Sequence, residues 1–231
     1  MNPPVLHVIS SMATKKLLAD LTARYQPSHP DCLVRVESVG GVDAARRVRD
    51  GESFDAVALA SDAIDQLMDS GHVVRGSRVD IVHSGVAAAV RAGAARPDIA
   101  SEEALKRAVL EAPTIGYSTG PSGVQLQKLF ERWGVAERIA GKIVTAPPGV
   151  PVGALVAKGE VALGFQQLSE LMHLPGIDVI GALPQPVQIT TIFSLGVART
   201  STRPDAVRAL QAFLASPELA DLKRANGMAP A

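Results

Sequence analysis

Short apolar runs alternate along this chain with stretches in which apolar residues recur every three or four positions. Val5 to Ile9 is nearly all apolar and ends at the turn-prone Ser10-Ser11, which predicts a buried strand. Thr14 is placed to cap a helix from Lys15 to about Gln26, with Leu17, Leu18 and Leu21 on one face. Leu33 to Ser38 alternates as a strand does, and Gly40-Gly41 breaks it before a helical Asp43–Asp50. Ala56 to Ala60 reads as another buried strand, followed by a helix over Ala63–Ser70 capped by Ser61. Strands and helices in this alternation predict an α/β fold, a parallel sheet covered by helices.

At Val79–Ala92 the pattern gives way to a long apolar segment. A second series follows: helix Ser101–Glu111, strand Thr114–Tyr117, a helix from about Ser122 to Trp133, strand Lys142–Thr145, helix Val152–Lys158 and strand Val161–Gly164. Val187–Val197 is again apolar and extended, and Asp205–Leu214 and Glu218–Ala225 read as helices. Two extended crossings imply two lobes, the first discontinuous (1–82 with 192–231) and the second spanning 83–191, each a mostly parallel sheet flanked by helices. The expectation is a ligand cleft between them.

Composition narrows the function. Lys plus Arg and Asp plus Glu each number 23, so the chain lacks the basic excess that nucleic acid or an anionic membrane surface would demand. Aromatics are only 3%, too few for base stacking, so no nucleic-acid partner is expected. The single cysteine, Cys32, cannot close an internal disulfide or build a multi-thiolate site, and the His, Cys and carboxylate spacing predicts no metal and no cofactor. No apolar run reaches the roughly 20 residues of a membrane span. The start has no cationic segment, long apolar stretch or small-residue cleavage site, so the expectation is a cytoplasmic protein, or a periplasmic one from which a leader has been removed.

Candidate chemistry gathers where strands hand over to helices. Ser10-Ser11-Met12-Ala13-Thr14, Val39-Gly40-Gly41-Val42-Asp43, Ser118-Thr119-Gly120-Pro121-Ser122-Gly123 and Pro147-Pro148-Gly149-Val150-Pro151-Val152-Gly153 share one design: a strand ends, small residues turn, a helix begins. Helix starts expose unpaired N–H groups and the positive dipole end, hydroxyls add neutral donors, and glycine lets backbone approach a ligand. Neither a Gly-x4-Gly-Lys-Ser/Thr nor a Gly-x-Gly-x-x-Gly phosphate motif occurs. The same Ser, Thr and Gly preferences serve ordinary helix capping, so a purely structural role competes at each turn. Among the titratable groups, Tyr117, directly before the Ser118 turn, and His83, in the first crossing, are the candidates for proton transfer.

These segments carry a resemblance. Ile9-Ser10-Ser11-Met12, Gly40 through Val57 and Gly159 through Phe165 resemble type 2 periplasmic binding proteins of the molybdate-binding group. Gly76 through Asp80, Val90 through Ala94, Tyr117-Ser118, Ser122-Gly123-Val124 and Gly164 through Leu171 are similar to a subgroup that includes bacterial aconitate isomerases. The resemblance implies a two-lobed fold with two crossover segments and a small anion held by uncharged donors. It implies one of two activities: a substrate-binding protein serving an ABC-type membrane transporter, or an isomerase moving a double bond in an unsaturated tricarboxylate. Ser11 matches the group's first serine, whereas Gly40-Gly41 replaces the second and Gln166-Gln167 replace a tyrosine. The loss of two hydroxyl donors and the gain of amides favour an organic carboxylate over molybdate, because amides both donate and accept. The expected ligand-binding set is Ser10, Ser11, Gly40, Gly41, Ser118, Ser122, Gly123, Gln166 and Gln167.

Overall fold

The computed structural model describes residues 3–147 and 149–231; Met1, Asn2 and Pro148, the last in the fourth predicted turn, lie outside the described residues. In chain order the elements are β1 (Val5–Ser11), α1 (Lys15–Tyr25), β2 (Leu33–Val39), α2 (Gly41–Arg49), β3 (Ala56–Ala60), α3 (Ser61–Asp69) and β4 (Val79–Arg91). Then come α4 (Glu102–Glu111), β5 (Ile115–Ser118), α5 (Pro121–Arg132), α6 (Ala136–Ile139), β6 (Ile143–Ala146), α7 (Val152–Lys158), β7 (Leu163–Gln167) and α8 (Leu168–Leu171). The chain closes with β8 (Ile177–Ala182), β9 (Thr190–Val197), α9 (Pro204–Ala215), α10 (Ala220–Ala225) and β10 (Met228–Pro230). It divides into two compact units, residues up to His83 with Ile192–Ala231, and Ser84–Thr191.

In the first unit the strands run β2-β1-β3-β9-β4, with β10 also paired to β4. β1 is parallel to β2, from Val5↔Leu33 to Ser11↔Val39, and to β3. β3 shows why an all-apolar pentapeptide is a strand here: Ala56, Ala58 and Ala60 face one core with Leu6, Val8, Leu17 and Leu21, while Val57 and Leu59 face another with Ile9, Ala44 and Ile64. A strand covered on both faces needs no polar alternation.

The second unit is ordered β4-β7-β5-β6, with β8 also on β4. β5 runs parallel to β6 and β7, and Val86, Ala88, Val90, Leu163 and Phe165 share a core with Leu126 and Phe130 of α5. Ser101 caps α4 by accepting from Ala104 N at 3.1 Å.

The sheets are mixed rather than mostly parallel. Strands returning through a helix pair in parallel, but the crossing strands run the other way: β9 is antiparallel to β3, and β4 is antiparallel to both β7 and β8. Four short elements escaped the sequence pattern, α6, α8, β8 and β10, none longer than six residues. β7 begins and ends later than predicted, so Gln166 and Gln167 are strand residues rather than loop residues. Thr14 does not cap α1 with its side chain; its hydroxyl donates to Ser11 O at 3.2 Å in a 3-10 turn. Ser61 is the first residue of α3, whose N-cap is Ala60.

Candidate functional site

In the first unit the parallel register sets Ser10 beside Ser38 and Ser11 beside Val39, and α2 starts two residues after β2 ends. The ends of β1 and β2 and the start of α2 therefore meet at the carboxyl edge of the sheet, where α/β folds place ligands. The two serines there differ. Ser10 Oγ lies 2.7 Å from Ser38 Oγ, a bond between neighbouring strands that uses the hydroxyl internally. Ser11 is 6% exposed, and its Oγ has no hydrogen-bond partner. A buried, unsatisfied hydroxyl costs on the order of 1–3 kcal/mol, which sets Ser11 apart from Ser10.

α2 supplies the complement. Its first intrahelical bond runs from Ala44 N to Gly40 O at 2.8 Å, which leaves the N–H groups of Gly41, Val42 and Asp43 ahead of the ladder. Gly40 is the N-cap with φ −56° and ψ 137°, and it offers no side-chain cap. A Cβ at Gly41 would meet only Ser11 Cβ, at 3.6 Å. Glycine is thus not demanded by packing here. Two arginines of α2 are already engaged: Arg46 pairs with Asp43 and Asp50, and Arg47 pairs with Glu37 at 2.5 Å and with Glu52, whose carboxyls it pulls below their usual range. The Ser11 hydroxyl and the amides at the dipole end of α2 are uncharged donors.

In the second unit, Tyr117, Ser118, Ser122 and Gly123 come together around the β5–α5 turn. Gly123 is required there, because a Cβ would run into the Ser118 carbonyl oxygen. Gly123 N and Val124 N both reach Gly120 O, at 3.0 and 3.2 Å, and Pro121 has no N–H, so Ser122 N is the amide this start leaves ahead of the ladder. Tyr117 is 5% exposed, with its ring tilted against Phe130 and its hydroxyl accepting from Gln127 Nε2 at 3.2 Å. It packs as a core tyrosine with a satisfied polar tip. His83 sits half-buried in β4 of the first unit.

The two glutamines part ways. Gln166, 3% exposed, accepts from Val152 N at 2.9 Å, so it caps α7 from within. Its Nε2 donates to Glu170 Oε1 at 2.8 Å. Burial drives the Glu170 carboxyl up to about 7, and the bond from Gln166 only partly opposes that rise. Gln167 points to the other face of β7: Nε2 donates to Thr191 Oγ1 at 2.9 Å, and buried Oε1 has no partner. Glu170 and Ser84, another fully buried and unpartnered hydroxyl, are groups the sequence pattern did not single out. A Glu in a Leu-Ser-Glu-Leu run gives a hint of amphipathic burial, and nothing marks Ser84 without the sheet. Among the described residues no cluster of three or more His, Cys, Asp or Glu side chains is arranged to hold a metal ion, and no helix is long and apolar enough to cross a membrane.

Comparison with solved structures gives the class. The fold matches the periplasmic molybdate-binding protein of Azotobacter vinelandii with a TM-score of 0.78 at 16% identity, covering 96% of this chain and 98% of that one. It matches the sulfate-binding protein of Mycobacterium tuberculosis with a TM-score of 0.79 at 15% identity, covering 98% and 87%. This is the α/β fold of periplasmic binding proteins. The chain belongs to the bacterial extracellular solute-binding protein family, whose model matches residues 6–229. It is also 41% identical, over 185 residues, to an aconitate isomerase from a Pseudomonas species, a match covering 80% of this chain and 70% of that protein.

Proposed function

We propose that this solute-binding protein takes a small organic carboxylate through uncharged donors at strand–helix junctions. The observation that carries the reading is the buried, unpartnered Ser11 hydroxyl beside the open start of α2. Within the second unit, Ser122 N and Ser118 are proposed as donors of the same kind, and Gln167 Oε1 as an acceptor. The loss of two hydroxyl donors relative to the molybdate-binding pattern favours a carboxylate over molybdate, since each lost donor to a tetrahedral oxyanion costs about 1–3 kcal/mol. An ABC-type membrane transporter is the partner this reading implies, and a periplasmic location goes with it. Calorimetry with citrate, tricarballylate, trans-aconitate, sulfate and molybdate tests it: at least one carboxylate should bind more tightly than either oxyanion. Ser11→Ala should weaken that binding roughly tenfold with no loss of stability in the free protein. Tighter binding of molybdate or sulfate would overturn the carboxylate assignment.

A second reading, an isomerase acting on an unsaturated tricarboxylate, is supported by the 41% identity and by Glu170. Shifting a double bond requires removing a proton from one carbon and returning it to another, and a carboxyl titrating near 7 suits both steps. Incubating the protein with trans-aconitate in heavy water and following proton NMR separates the readings. Interconversion with deuterium uptake, lost in Glu170→Gln, would make the protein an enzyme; an unchanged spectrum leaves it a carrier.

A further inference from the structure

The second unit contains two unpartnered polar atoms that lie on one face of adjacent strands. β4 and β7 are antiparallel with Val86 opposite Gln167 and Ala88 opposite Phe165. Directly opposed residues share a face, and so do alternate residues of one strand. Ser84, Val86 and Ala88 therefore line the same face as Gln167, Phe165 and Leu163. Most of this face is apolar core: Val86, Ala88, Val90, Leu163 and Phe165 all belong to it. At one end it turns polar, with Ser84 at 0% and Gln167 at 3% exposure. Ser84 is the diagonal neighbour of Gln167, a relation that sets Cα atoms about 7–8 Å apart. Neither Ser84 Oγ nor Gln167 Oε1 has a hydrogen-bond partner, and Thr191 Oγ1 holds the Gln167 amide by its nitrogen.

The geometry points to Ser84 and Gln167 as a subsite for a hydroxyl group on the ligand. Gln167 Oε1 can only accept, and the Ser84 hydroxyl both donates and accepts, so an alcohol satisfies the pair whereas a bare carboxylate oxygen satisfies Ser84 alone. The ligand class this selects is the hydroxycarboxylates. The inference rests on the carboxylate reading above and deepens it by naming Ser84 as a specificity-determining residue.

The test compares ligands that differ by one hydroxyl, citrate against tricarballylate and malate against succinate, by calorimetry on the intact chain. Wild type should favour the hydroxylated member of at least one pair by tenfold or more. Ser84→Ala should reduce that preference to less than threefold, chiefly by weakening the hydroxy acid. In the absence of ligand the same variant should melt at a higher temperature, because it deletes an unsatisfied buried hydroxyl without leaving a large void. Gln167→Leu gives an independent measure, with the same loss of preference expected. Equal affinities within both pairs, or a preference that survives Ser84→Ala, would overturn the subsite while the carboxylate reading stands. Failure of all four acids to bind, with sulfate or molybdate binding, would overturn both.

Discussion

The starts of α2 and α7 look alike in sequence, each following a strand and a turn rich in Gly or Pro, yet the structure treats them oppositely. α2 opens with three N–H groups ahead of its ladder, and an unsatisfied hydroxyl lies beside them. α7 opens with Val152 N already bonded to the buried Gln166 amide, which is anchored in turn on Glu170. A helix start is an anion receptor only if the chain leaves its donors unspent. Here the start of α2 keeps them, and the start of α7 spends Val152 N to fix its own packing. The cost of that choice differs too. At α2 an unsatisfied hydroxyl is left at the edge of the sheet, while at α7 a buried amide is held against a half-buried carboxyl.

Substituting the glycines breaks this contrast most directly. Gly123→Ala should destabilise the protein by about 3–5 kcal/mol or prevent folding, because the new methyl meets a backbone carbonyl that cannot move independently. Denaturant unfolding checks it. Gln166→Ala should cost about 3 kcal/mol in the same measurement, since it strips Val152 N of its acceptor and leaves the Glu170 carboxyl without its donor.

Glu170 sharpens the comparison through pH. Its carboxyl titrates near 4.5 in the unfolded chain and about 7 when folded, so the native state holds the proton more tightly across that window. Stability from this group is therefore fully present below about 4.5, falls as pH rises toward 7, and is gone above it. Glu170→Gln should flatten the decline, leaving the variant more stable than wild type at pH 8, relative to pH 5, by on the order of 1–3 kcal/mol. Parallel stability curves for the two proteins from pH 5 to 8 would show that the carboxyl is not desolvated as described.

The smallest effect on stability is expected at Gly41. Gly41→Ala places a methyl at ordinary contact distance from Ser11 and removes a flexible residue from a helix, so stability should change by no more than about 1 kcal/mol. Ligand affinity should nevertheless fall at least tenfold, because the methyl stands against Ser11 at the helix start where the ligand is proposed to bind. Retained affinity in Gly41→Ala would remove the start of α2 from the site.

Most of the framework was legible before any coordinates. Runs such as Ala56–Ala60 and the Leu17, Leu18, Leu21 stripe carry strong local patterns, and the structure forms β3 and α1 on them. Short elements were not legible. Ile177–Ala182 contains Asp178 and Gly181 and has little intrinsic strand character, but β4 offers it a partner edge and it pairs there. Cap assignments failed for a related reason: Thr14 and Ser61 have the right chemistry at the right place, and the backbone path decides whether their hydroxyls face a helix N–H.

For the proposed site, residue types alone marked the strand–helix junctions, because strand ends and helix starts obey local rules of glycine, hydroxyl and dipole. Which donors are free is a long-range property. Ser10 and Ser11 are adjacent and chemically identical, but strand pleating turns one toward Ser38 and leaves the other unbonded. Gln166 and Gln167 are likewise turned to opposite faces of β7, one to cap α7 and the other to pair with Thr191. Alternation along a strand can be read from sequence, but the neighbour waiting on each face cannot, since it comes from chain segments tens of residues away.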